Sequence, residues 1–318
     1  MSNRNPLDYS INKPLSSGYN PIKYIFKDII LYVCLLSILI FGLAMLYSSS
    51  GQSISMVIRQ SVYIFSGLIL MTFISHQKPD SYKNLLMHSY WIGLFLLVYV
   101  LLFPASGYST SRWIDLGFFS FQPSEIIRLI LPLSLIAYLC RKESPVQLLD
   151  WFYTTLAAFI CSFLVFKQPD LGTSIIVLTS GLIPIYLAGL PYKIIIAYLG
   201  LALVSAPFIW ANLLDYQKQR VLTYFDSNVD PLGDGWNIAQ SKTAIGSGGF
   251  FGKGYLEGTQ SQLNFIPESH SDFIFSVVGE EFGLLGIGLL FFVYAIIIWR
   301  IFKIGFAAQS NFERLACS

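Results

Sequence analysis

Charge is what this sequence has least of. Only 12% of its 318 residues are Asp, Glu, Lys or Arg, and 54% are hydrophobic, against about 25% and 45–50% in an ordinary globular protein. A soluble domain of this length would be left with too little polar surface, so a soluble fold is excluded. Net charge is +2, without the concentrated basic face that nucleic-acid binding needs, so nucleic acid is excluded as a partner. Four cysteines (Cys34, Cys140, Cys161, Cys317) stand at unrelated spacings, mostly inside apolar runs, and offer neither a CxxC pair nor a disulfide framework. They read as small packing residues. The three histidines are equally scattered, and no Cys/His cluster suggests zinc.

What is abundant is apolar length. Mean hydropathy is +0.61, and a bilayer crossing takes about 20 mostly apolar residues. Eight runs qualify as span cores: Ile29 to Tyr47, Val62 to Ile74, Leu85 to Phe103, Ile126 to Leu139, Phe152 to Val165, Ile175 to Leu190, Ile194 to Leu214 and Phe273 to Ile298. Several reach full length only if extended through their polar ends. The first is too long for a signal-peptide core of about 7–15 residues and reads as a retained anchor after a polar tail, 1–28. The expected fold is therefore an all-α polytopic bundle of about eight spans, 29–318, with one large loop, 215–271, between the seventh and eighth.

Basic residues set the orientation. With a cytoplasmic N-terminus, Arg4, Lys13, Lys23, Lys27, Lys78, Lys83, Arg141, Lys142, Lys193, Arg300, Lys303 and Arg314 all fall on the cytoplasmic side, as the positive-inside rule requires. Both termini are then cytoplasmic and the large loop lies outside. Inverted repeats of the kind found in many transporters are not visible.

Ionisable groups at membrane depth mark function by default. Here they are Arg59, Glu125, Arg128, Lys167, Asp170, Asp272, Glu280 and Glu281, nearly all toward the outer half. Glu125 and Arg128 are three residues apart and share a helix face; they read either as a pair pinning helices or as the lining of a polar cavity. Gln122-Pro123-Ser124-Glu125, Gln168-Pro169-Asp170 and Pro267-Glu268 each stand where the chain re-enters the membrane, and proline with a carboxylate suits a helix start. Asp272 opens the last apolar run. It reads either as a helix N-cap or as a carboxylate able to accept a proton at the outer mouth of that span.

The stretch Gly246-Ser247-Gly248-Gly249-Phe250-Phe251-Gly252-Lys253-Gly254 invites a nucleotide-binding reading and fails it. A P-loop needs glycine where Ser247 stands and Ser or Thr where Gly254 stands. These glycines read instead as turns that let backbone approach a ligand or a partner.

Arg112-Trp113-Ile114-Asp115-Leu116-Gly117, the stretch Phe121 to Arg128, Gln168-Pro169-Asp170-Leu171-Gly172-Thr173-Ser174, and the run from Gln217 to Gly283 with Gly258-Thr259-Gln260-Ser261-Gln262-Leu263 and Phe265-Ile266-Pro267-Glu268 together resemble the SEDS (shape, elongation, division and sporulation) family of bacterial membrane proteins, and its elongation branch more than its division branch. The resemblance implies a peptidoglycan glycosyltransferase of the cytoplasmic (inner) membrane that polymerises lipid II into glycan at the outer face, in rod-shape maintenance. It implies work beside a class B penicillin-binding protein and other membrane proteins of the elongation machinery. The family's essential aspartate falls on Asp272. Its acidic and basic pair falls on Glu125 and on Arg128, where relatives commonly have lysine; a planar fork replaces a compact ammonium.

Under that reading Asp272 takes the proton from the acceptor's GlcNAc 4-hydroxyl as it attacks the anomeric carbon of the donor's MurNAc, and undecaprenyl pyrophosphate leaves with inversion. Glu125, Arg128 and Asp170 support the cavity. Arg59, Arg112, Lys218, Arg220 and Lys253 are the candidate pyrophosphate ligands, unranked by sequence. No metal ligand set is visible, although a divalent cation sharing the leaving-group charge stays open. A lipid-linked precursor flippase and an inactive scaffold are the competing functions. The family usually has ten spans, so the last two are expected to be absent from these 318 residues.

Overall fold

The computed structural model describes residues 28–77, 79–103, 112–115, 120–142, 146–226, 229–230, 233–262 and 269–317. Several sequence expectations lie outside that set: most of the N-terminal tail with Arg4, Lys13, Lys23 and Lys27, then Lys78, Leu116-Gly117, and the motif residues from Leu263 to Glu268.

Every expected apolar run is a helix. In chain order they are α1 (Ile29–Ser49), α2 (Ile54–Ser75), α3 (Pro79–Leu102), α4 (Pro123–Leu139), α5 (Leu148–Lys167), α6 (Leu171–Leu187) and α7 (Tyr192–Asn212). The large loop carries α8 (Asp215–Phe225), α9 (Asp234–Ser247) and α10 (Thr259–Gln262), after which come α11 (Ile274–Ala307) and α12 (Asn311–Ala316). Two short strands, β1 (Ile114–Asp115) and β2 (Ser120–Phe121), pair antiparallel between α3 and α4. Six helices (α1, α2, α3, α5, α7 and α11) are long and apolar enough to cross a bilayer, and α6 is a shorter apolar helix. The helices outgrow the apolar runs because each extends through polar ends: α2 begins eight residues before Val62. In hydrocarbon a backbone must satisfy itself, and helix does so.

Local chemistry sets several ends. The Asp28 carboxylate caps α1 through the Leu31 amide at 3.2 Å. Pro123 occupies the first turn of α4, where its missing N–H costs nothing.

Packing falls into two groups. In the first, α4 lies against α3 and α6, and α5 against α6, around Leu97, Ile127, Leu131, Ala158, Val165 and Val177. Lipid tails are as apolar as these side chains, so dispersion and interhelical hydrogen bonds hold the helices together. Gln168 Nε2 donates to the Leu97 carbonyl (3.1 Å) and Ser162 Oγ to the Ser174 carbonyl (2.8 Å). In the second group α11 packs against α1 and α9, with Met45, Val277 and Val278 buried together. α12 bridges the two groups by seating Phe312 against Ile136 and Ala137 of α4. Neither α2 nor α7 has a buried residue, as lipid-facing helices should.

The ends of the bundle differ in charge. One gathers Asp28 with Arg300, and Lys142 with Asp150 and Tyr138. The opposite end carries Glu125, Arg112, Asp170, the large loop and Asp272.

Candidate active site

Asp272 stands in the turn just before α11. Two contacts fix that turn: Ser269 Oγ donates to the Ser49 carbonyl at the end of α1 (3.0 Å), and the Ser241 and Ser276 hydroxyls tie α9 to the first turn of α11. The N-cap position belongs to Phe273, with no side-chain cap bond, so Asp272 does not cap the helix. Its side chain is exposed, and no hydrogen bond or ion pair from the described residues engages its carboxylate. A carboxylate held on a rigid turn and left open is free to accept a proton from a bound hydroxyl.

Glu125 and Arg128 pair along one face of α4, Nη2 to Oε2 at 2.5 Å, with both side chains partly exposed. A second cluster forms where α5 turns into α6. Arg112 donates from Nε to the Gln168 carbonyl (3.1 Å) and from Nη2 to the Pro169 carbonyl (2.5 Å), and its Nη1 lies 3.6 Å from Asp170 Oδ2. Asp170 also caps α6 through the Thr173 amide at 3.1 Å, so the helix-start reading of Gln168 to Asp170 agrees with the structure. Tyr216 of α8 donates to the same Pro169 carbonyl (3.1 Å). The result is an open cavity of about 550 Å³ lined by Arg112, Asp170, Gly172, Tyr216, Arg220 and Tyr224 among others. Asp272 is not one of its lining residues.

Of the five basic residues singled out by sequence, this cavity gathers two, Arg112 and Arg220. Arg59 is exposed on α2. Lys218 reaches the Ala211 carbonyl at 3.5 Å, near the end of α7. Lys253 is taken up by Glu280, at 2.6 Å.

The glycine-rich segment finds its partner within the chain. Gly283 breaks α11 with φ 63° and ψ −161°, and the backbone groups freed there are paired by 249–254. The Lys253 and Gly254 amides donate to the Glu280 and Glu281 carbonyls (both 3.0 Å), while the Leu284 and Leu285 amides donate to the Gly249 and Phe250 carbonyls (2.9 and 3.1 Å). Non-helical backbone near a membrane is tolerated when protein buries it. Gly252, at φ +81°, would drive any Cβ into the Glu281 carbonyl, so the motif is glycine-rich because two backbones touch there.

Sequence reasoning noted Glu280 and Glu281 for their depth but gave them no part in the site. Both are fully buried. The signal for them was present: an acidic doublet between Gly279 and Gly283 in an otherwise apolar run. Gln168 was named only as part of a helix-start motif, and nothing in sequence marked its bond to the Leu97 carbonyl of α3. Among the described residues no group of three or more His, Cys, Asp or Glu could hold a metal ion.

Fold and site together define a polytopic helical membrane protein with acidic and basic side chains gathered at one end. The chain belongs to the FtsW/RodA/SpoVE family of cell cycle proteins, whose pattern matches residues 28–318; this is the family that its motifs resemble. It is 41% identical over 302 residues to the peptidoglycan glycosyltransferase MrdB of Escherichia coli K12, covering 93% of this chain and 82% of that one. It is 33% identical over 276 residues to a probable peptidoglycan glycosyltransferase FtsW of Buchnera aphidicola, covering 82% and 75%. Among solved structures it is similar to a chain from a peptidoglycan synthase complex that coordinates polymerization and crosslinking (TM-score 0.75, 28% identity, 91% of this chain and 81% of that one). It is also similar to the rod shape determining protein RodA of Thermus thermophilus (TM-score 0.63, 25% identity, 91% and 78%). With its apolar helices, this kinship makes it a multi-pass inner-membrane protein.

Proposed function

We propose that this chain is a peptidoglycan glycosyltransferase that polymerises lipid II, with Asp272 as general base and the Asp272 end of the bundle outside the cell. The observation that carries the reading is Asp272 itself: an exposed carboxylate without a partner among the described residues, on a turn tied to α1 and α9. Asp272 accepts the proton of the acceptor's GlcNAc 4-hydroxyl, that oxygen bonds to the anomeric carbon of the donor's MurNAc, and undecaprenyl pyrophosphate leaves from the opposite face. Inversion follows from a single displacement.

The departing pyrophosphate needs positive charge, and the Arg112 and Arg220 cavity is the best match among the five basic candidates. Guanidinium suits a bidentate phosphate contact, and Tyr216 and Tyr224 give the same cavity flat faces for sugar or isoprenoid. Glu125 and Arg128 support the polar entrance on α4. The basic end, with Arg141, Lys142, Arg300 and Lys303, faces the cytoplasm under the positive-inside rule, which puts both termini there. A class B penicillin-binding protein is the matching partner, because a polymerised strand must then be cross-linked.

Purified protein incubated with lipid II tests the reading. Glycan chains support it. Transfer of lipid II across vesicles without polymer would make the protein a flippase, and neither activity would make it a scaffold.

A further inference from the structure

Glu280 is fully buried, and its carboxylate collects donors from two separate stretches of the large loop. Oε1 accepts from Lys253 Nζ (2.6 Å), the Thr259 amide (2.8 Å), Thr259 Oγ1 (3.0 Å) and the Gln260 amide (3.0 Å), while Oε2 lies 3.2 Å from the Gln260 amide. Lys253 Nζ also donates to Thr259 Oγ1 at 2.8 Å. Lys253 ends the glycine-rich turn, and Thr259 and Gln260 begin α10.

The sequence positions give this cluster its meaning. Asp272 lies between Gln260 and Glu280, so the hydrogen bonds from Gln260 to Glu280 close the loop that carries Asp272. One stem of the loop is α11, and this carboxylate holds the start of the other to it, next to the Lys253 and Gly254 amides that bond the Glu280 and Glu281 carbonyls. For holding helices together alone, a buried charge pair is a poor device, since apolar side chains of similar volume do as well or better. What a carboxylate adds is direction, because its donors can sit in few places.

We propose that Glu280, neutralised by Lys253, is a positioning residue for Asp272. It pins the upstream stem of the Asp272 loop to the helix that forms the downstream stem. The inference rests on the polymerase reading above, and it gives Lys253 a role in the latch in place of one at the pyrophosphate. Glu280 touches no substrate. Its removal displaces the base, and displacements of about 1 Å at a reacting group cost up to about 100-fold in rate.

The test uses full-length protein in detergent or liposomes, comparing Glu280→Gln, Lys253→Met, Lys253→Arg and the double variant Glu280→Gln/Lys253→Met. Amide hydrogen exchange reads the latch without reference to activity. In Glu280→Gln, exchange at Thr259 and Gln260 should rise by about tenfold or more, while Leu284 and Leu285 keep their protection because the break at Gly283 is intact. With lipid II as substrate, both single neutralising variants should lower kcat by about tenfold or more with KM within about twofold. Lys253→Arg should retain activity, and the double variant should exceed either neutralising single, because a neutral amide can still accept the Thr259 and Gln260 amides once no ammonium opposes it. Unchanged exchange at Thr259 and Gln260 would overturn the latch. Wild-type kcat in the neutralising singles, or losses that follow melting temperature with no gain in the double variant, would overturn the positioning role. A wild-type protein that makes no glycan counts against the polymerase reading alone, and the exchange pattern then decides the latch by itself.

Discussion

Arg300 grips both carboxylate oxygens of Asp28, from Nε at 2.9 and 2.8 Å and from Nη2 at 2.6 Å. At the other end of α1, the Ser48 hydroxyl donates to Glu281. Asp28 and Ser48 lie 20 residues apart along the unbroken α1, about 30 Å at the helical rise, and the hydrocarbon core of a bilayer is about 30 Å thick. The two contacts thus clamp α1 to α11 about one hydrocarbon thickness apart along α1. The first turns of α11, before Glu281, lie past the Ser48 contact with α9 beside them, and Asp272 precedes them at the same end.

The clamp at Asp28 should be sensitive to acid. Burial works to raise this carboxyl, but the hydrogen bond and charge of Arg300, with the Leu31 amide, outweigh it and hold the group below the usual carboxylate range. A lowered folded value means that the contribution is present above the ordinary carboxylate pKa of about 4 and is lost as pH falls below it. Thermal unfolding in detergent between pH 3 and 7 should show that loss. Asp28→Asn should remove the same pH dependence and cost about 1.5–3 kcal/mol at neutral pH, the scale of a hydrogen bond to a charged group. A pH profile in Asp28→Asn identical to wild type would refute the assignment.

Asp272→Asn should insert and purify like wild type, since no described residue depends on its carboxylate. Polymerisation should fall by about 10²–10⁴-fold, the usual share of general-base assistance. Asp272→Glu should recover part of the rate. Glycan synthesis by matched amounts of each protein measures both, and full activity in Asp272→Asn would remove the base assignment.

The helices were legible because hydrocarbon leaves a backbone few choices, so the apolar runs located each span and the polar ends merely lengthened it. Asp170 was readable as a cap for the same local reason. What escaped was long-range. Nothing in sequence links Arg112 to the carbonyls of Gln168 and Pro169, and their meeting is what separates Arg112 and Arg220 from the other basic candidates. Lys253 was singled out without its partner Glu280, which lies 27 residues on. The glycine-rich segment was recognised as a place of close backbone approach, but pairing with a broken helix is a tertiary fact.

That pairing makes a sharp contrast among glycines. A Cβ at Gly252 would collide with the Glu281 carbonyl, and φ there is +81°. At Gly246, six residues earlier in α9, an added Cβ would meet nothing within 4 Å. Gly252→Ala should therefore destabilise the protein by at least about 1–3 kcal/mol, the range for a strained backbone position. Gly246→Ala should be neutral or slightly stabilising, by up to about 1 kcal/mol. Melting temperatures of the two variants, measured side by side, check the order, and equal values would show that the close contact at Gly252 can relax without cost.

The arginine cavity predicts a different kinetic signature from the base. Arg220 is exposed on α8, whereas Arg112 is built into the α5–α6 junction by two carbonyls and Asp170. Arg220→Gln should weaken use of the lipid-linked substrate. A lost charge-assisted contact to phosphate is worth about 1.5–3 kcal/mol, or roughly 10- to 150-fold in kcat/KM. Arg112→Gln should show that loss and a lower melting temperature as well, because three local contacts go with it. Arg112→Lys keeps the charge but cannot bridge both carbonyls and Asp170 with one planar group, so it should regain less than the charge alone would restore. Initial rates across a lipid II titration, paired with unfolding curves, separate these outcomes. A kcat/KM at the wild-type value in Arg220→Gln would take the pyrophosphate away from this cavity.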